Sequence, residues 1–133
     1  MNNINPVNMS SAALAYLGDS VIEVCVRRLL VSVGISHSAE LNAEALNFVR
    51  AGAQAEAVKN ILPVLTEEEE GAFRRGRNMG HSSSPKSATV GQYRAATGME
   101  ALFGWLYVCQ KIERIDELFE LAYKEQIEKI KSK

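Results

Sequence analysis

Between Ser10 and Ser32 apolar residues recur on two stripes, Leu14, Leu17, Val21 and Val24 on one and Ile22, Val26, Leu29 and Leu30 on the other. Such doubled periodicity predicts a helix capped by Ser10 or Ser11, stopped by Gly34, and covered on most sides by the rest of the chain or by a partner. From Ser38 onward Leu41, Ala45, Leu46 and Phe48, then Ala53, Ala57, Val58, Ile61 and Leu62, keep helical spacing. This predicts two helices or one kinked helix, with Gly52 as the weak point and Pro63 as the end.

Thr66-Glu67-Glu68-Glu69 has the spacing of a capping box, so the acidic run starts a helix that reaches about Arg77. The stretch NMGHSSSPKSA, residues 78–88, reads as a loop. A long apolar helix follows from about Thr89 to Lys111, and residues 115–133 read as one amphipathic helix with Leu118, Leu121, Ala122 and Ile130 inward. No stretch alternates with period two and no internal repeat is present, so the fold class is all-α.

At 133 residues, 47% hydrophobic and 23% charged, the chain fits one domain over 1–133 with its core at about 12–121. Cys25 and Cys109 stand far apart in apolar helical segments, without metal-ligand spacing, as buried thiols of a reducing compartment do. The N-terminal stretch has no basic segment followed by an apolar core, and no apolar run spans a membrane, which predicts a cytoplasmic protein.

The net charge of −1 is unevenly spread. Between Gly71 and Met99, 29 residues hold Arg74, Arg75, Arg77, Lys86 and Arg94 and no acid. With Asn78, His81 and three serines, these are donors suited to phosphate and ribose, although cations at a helix C-terminus also favour its dipole. Phe73 and Tyr93 are the only aromatics there, so tracking the backbone of a duplex fits better than stacking single-stranded bases.

Two carboxylates interrupt apolar segments, Asp19 in LAYLGDSVIEV and Glu100 in TGMEALFGWLY. A carboxylate buried alone costs several kcal/mol or takes up a proton, so each needs a cation, a donor or an open cleft. Helices packed through Gly18 and Gly98 could bring the two together. Oxygen ligands without Cys or His would then suit Mg²⁺ or Mn²⁺, whereas apart each acid could be a structural acceptor.

LAYLGDSVIEV resembles the signature helix of ribonuclease III, and TGMEALFGWLY its second catalytic helix. With RGRN at 75–78, SPK at 84–86, YRAAT at 93–97 and EALFGWLY at 100–107, the set resembles the stand-alone branch of that family, mini-ribonuclease III, from about Ala12 to Leu121. The resemblance implies Asp19 and Glu100 as catalytic and metal-binding carboxylates. The family's further acids fall on Ala12, Ala15 and Thr97, which weakens metal binding in the free enzyme and leaves Thr97 at most a water-mediated part.

It also implies a homodimer built around the first helix, with Arg74, Arg75, Arg77, Asn78, Lys86 and Arg94 toward double-stranded RNA. Mg²⁺, with Mn²⁺ as substitute, would drive phosphodiester hydrolysis that leaves short 3′ overhangs. The substrate implied is precursor 23S ribosomal RNA, with a ribosomal protein as a possible helper. The competing expectation is an RNA-binding or ribosome-assembly module that lost catalysis with its acids.

Overall fold

A computed structural model of the chain describes residues 5–79 and 89–132. The described residues form an all-α fold of seven α-helices: α1 (Ser11–Ser32), α2 (Ser38–Val49), α3 (Ala51–Ile61), α4 (Glu67–Arg77), α5 (Val90–Val108), α6 (Ile112–Ala122) and α7 (Lys124–Lys131). Helix α5 is the hub, packed on α1, α4 and α3. Its stretch from Ala101 to Leu106 is buried on every side, which is why that segment reads as uniformly apolar.

The helix starts follow side-chain chemistry. Ser10 Oγ accepts from the Ala13 N–H at 3.0 Å. Thr66 and Glu69 form the anticipated capping box, each side chain accepting from the other's backbone N–H. Thr89 and Gln92 form a second one at the start of α5. At the end of α1, Gly34 takes φ 95°. There its N–H donates to the Val31 carbonyl at 3.1 Å and the Ile35 N–H to that of Leu30 at 3.3 Å. A left-handed residue with these paired bonds is the Schellman stop that glycine favours.

Three expectations need correction. The α2–α3 break falls at Arg50, whose extended backbone (φ −63°, ψ 147°) begins α3, so Gly52 lies inside the first turn of α3 rather than at the kink. The closing segment is two helices because Tyr123 leaves helical geometry. Its fully buried ring lies 5.2 Å from both Phe48 and Phe119, and its hydroxyl donates to the Phe48 carbonyl at 2.8 Å. Leu118, Ala122 and Ile130 are buried as expected, while Leu121 is only half-buried.

The third correction concerns α1, which is not covered all round within this chain. Leu14, Val21, Ile22, Cys25, Val26 and Leu30 face the core, but Tyr16 (85% exposed), Val24 and Val31 lie on the opposite side in solvent. Cys25 is buried, which pushes its thiol up to about 11, whereas Cys109 is half-buried at the end of α5. Among the described residues, no helix is long and apolar enough to cross a membrane.

Candidate active site

The site is built where α1 and α5 touch through main chain. A methyl group at Gly18 would overlap the Glu100 carbonyl, and one at Gly104 would overlap the Leu14 carbonyl. Gly18 permits the approach as its position suggested. Gly98 does not serve it: a methyl there would lie 2.7 Å from the Phe73 ring of α4, so Gly98 admits α4 instead. The α1 partner is Gly104, whose signal was its place one helical turn after Glu100.

This contact brings Asp19 and Glu100 to one cleft of about 390 Å³, lined also by Ala12, Ala15, Tyr16, Met79, Tyr93 and Thr97. The two carboxyl groups are hydrogen-bonded to each other. Asp19 itself is exposed, so the expectation of burial fails for it; its apolar sequence neighbours turn to other faces of the helix. Glu100 is half-buried, and its carboxyl is pushed up to about 8, first by burial, then by the charge of Asp19, then by their hydrogen bond.

Ala12, Ala15 and Thr97 line the same cleft, and the two alanines leave part of its wall apolar and open. Thr97 is buried, and its hydroxyl donates to the Tyr93 carbonyl at 3.0 Å. Tyr16, Met79 and Tyr93 were not foreseen as walls. Tyr16 three residues before Asp19, and Tyr93 seven before Glu100, could have been placed by helical spacing alone.

A hard divalent cation fits this donor set. The cleft offers two facing carboxylates without nitrogen or sulfur ligands, and their mutual repulsion is what a cation relieves. Among the described residues, no group of three or more His, Cys, Asp and Glu could hold a metal ion, so such an ion would keep much of its water.

The cations near the cleft differ in their freedom. Arg74 is tied to Glu70 at 2.7 Å, an acid just outside the acid-free stretch. Arg77 lies over the Phe73 ring at 5.9 Å, and its Nε donates to Asn78 Oδ1 at 3.2 Å. Arg75 and Arg94 are exposed, Arg94 directly following the cleft residue Tyr93. Lys86 and His81 lie outside the described residues.

An all-α domain with paired carboxylates on two glycine-packed helices suits a metal-dependent phosphodiesterase. The family model of the ribonuclease III domain matches residues 12–111. The chain therefore belongs to the ribonuclease III family of endoribonucleases, in its mini-ribonuclease III branch.

It is 41% identical over 122 residues to mini-ribonuclease 3 of Symbiobacterium thermophilum, covering 92% of this chain and 94% of that one. To the Enterococcus faecalis mini-ribonuclease 3 it is 41% identical over 118 residues, covering 87% and 89%. A crystal structure of a Fusobacterium nucleatum protein matches with TM-score 0.81 and 30% identity, covering 90% of this chain and 95% of that one.

Proposed function

We propose that the chain is one domain that cuts double-stranded RNA in a Mg²⁺-dependent reaction, with Asp19 and Glu100 as its catalytic and metal-holding residues. The observation that carries this reading is the carboxylate pair itself: two acids share a hydrogen bond in an open cleft, with no cation among the residues that line it. Mg²⁺, or Mn²⁺ in its place, supplies when bound the charge that activates water and stabilises the developing negative charge on the scissile phosphate. Glu100 has to release its proton before it can serve as a ligand. Asp19, at the exposed edge, meets the cation first.

RNA is positioned by Arg74, Arg75, Arg77, Asn78, Lys86 and Arg94, which contact phosphate and sugar rather than bases. The Arg77 guanidinium, stacked over Phe73, is the most restrained of the described cations. The branch of the family supports precursor 23S ribosomal RNA in the cytoplasm as substrate, with a ribosomal protein presenting it.

A homodimer is supported by the solvent-facing side of α1, where Tyr16, Val24 and Val31 stand exposed. Beside it, an apolar groove runs along Leu17, Val21 and Val24 to Tyr107 and Ile112. A second copy covering both would complete the cover that the pattern of α1 demands.

The deciding experiment offers a plain RNA duplex to the protein with and without Mg²⁺, alongside Asp19→Asn. Cleavage that needs both the ion and Asp19 supports the enzyme. Tight duplex binding without cleavage by the unaltered protein in Mg²⁺ would instead mark the non-catalytic module.

A further inference from the structure

Thr97 lies three residues before Glu100 on the same side of α5 and borders the carboxylate cleft, yet it is only 6% exposed. A threonine hydroxyl carries one proton and two lone pairs. The proton is committed to the Tyr93 carbonyl at 3.0 Å, so toward the cleft the oxygen can only accept. This one-sidedness selects what approaches it. Ionised phosphate and carboxylate oxygens bring no proton and are turned away, whereas a group bearing O–H is received.

Side chains three apart on a helix are neighbours at roughly 5–6 Å between Cβ atoms, a gap that one bridging water fills. A Mg²⁺-like ion with few protein ligands keeps several waters, each with its protons pointing outward. We infer that Thr97 is a positioning residue: it accepts a hydrogen bond from a water in the hydration shell of the cation held by Asp19 and Glu100. The Tyr93 carbonyl fixes the direction of that bond. The inference rests on the cleft being a cation site, and it assigns the third oxygen to the outer shell rather than to the ion.

The test is Mn²⁺ binding to the full-length, RNA-free protein, followed by electron paramagnetic resonance, for the unaltered chain, Thr97→Val, Thr97→Ser and Asp19→Asn. Thr97→Val keeps the shape and removes the oxygen, and should weaken Mn²⁺ binding roughly tenfold, the scale seen when an outer-shell partner is lost. Thr97→Ser, which can make the same bond to the Tyr93 carbonyl, should retain most of the affinity, and Asp19→Asn should lose more than Thr97→Val. Thr97→Ala gives the same reading should the valine variant not fold.

Unchanged affinity in Thr97→Val with loss in Asp19→Asn overturns the Thr97 assignment and leaves the cation site standing. Unchanged affinity in both overturns the cation site as well. The other source of an O–H donor is the ribose 2′-hydroxyl. If Thr97→Val binds Mn²⁺ normally but no longer distinguishes an RNA duplex from its 2′-deoxy counterpart, the oxygen serves the sugar and the inference falls.

Discussion

Glu69 and Glu100 are both withdrawn from solvent on helices packed side by side, α4 and α5, and they are opposite in every electrostatic respect. Glu69 is 2% exposed, and its carboxylate receives Arg114 Nε at 2.8 Å and Nη2 at 2.9 Å besides the Thr66 N–H at 2.9 Å. Burial pushes its carboxyl up, but the Arg114 and Thr66 bonds outweigh it and hold the group below the ordinary glutamate range. Glu100 faces another acid instead of a cation and is raised to about 8. A carboxylate whose partners lie within the fold is architecture; one left with a like charge at the edge of a cleft awaits something from outside.

Exchanging each acid for its amide separates the two roles. Glu100→Gln and Asp19→Asn should lower duplex cleavage by roughly a thousandfold or more, as loss of several kcal/mol of transition-state stabilisation implies. Their denaturant midpoints should stay equal to or above that of the unaltered protein. Wild-type turnover in either variant would erase the contrast. Glu69→Gln should do the reverse, costing about 2 kcal/mol of stability, a value kept below the usual buried-pair penalty because Arg114 is partly exposed. Turnover per folded molecule should change little.

The pH dependence differs in sign. Glu100 keeps its proton in the folded, metal-free protein up to about 8, whereas the unfolded chain releases it near the ordinary glutamate value. Folding therefore loses stability as pH rises through that window, and Glu100→Gln should flatten the decline in urea titrations without metal. Glu69 contributes stability that is present above the ordinary value and lost as pH falls through its lowered one. Midpoints measured across acid to neutral pH for the two amide variants should diverge in opposite directions; parallel curves would show that the two environments are not opposed.

The smallest expected effect sets the baseline against which the others are judged. Gln110 ends α5 as Gly34 ends α1, with the same paired bonds, its N–H to the Tyr107 carbonyl and the Lys111 N–H to that of Leu106, each at 2.9 Å. Unlike Gly34, it holds φ 60° with a side chain. Gln110→Gly should raise stability by about 0.5–1 kcal/mol, read as a shift in denaturant midpoint, and leave cleavage unchanged.

The helix starts were legible because Ser10, Thr66 and Thr89 satisfy their own neighbours, a local transaction that spacing reveals. The breaks at Arg50 and Tyr123 were not, since Tyr123 leaves its helix while anchored to Phe48, 75 residues away. Asp19 and Glu100 stood out as acids in apolar stretches, but linear neighbours said nothing of the face each occupies, so Asp19 read as buried. Glu69 hid in the opposite way: within a run of four glutamates, only the fold tells which one Arg114 holds.

Where Gly18 meets Glu100 and Gly104 meets Leu14, no side chain stands between the helices. The separation of the two acids is consequently gauged by peptide units, whose bond lengths and planarity hardly yield, rather than by rotamers that fluctuate and can be repacked. Most of a protein interior drifts under neutral exchange of one apolar side chain for another. This junction has no such neighbouring states, because the smallest possible change, one methyl group, already displaces a helix. The working part of the molecule is thereby held to a tolerance that sequence variation elsewhere in the core cannot loosen.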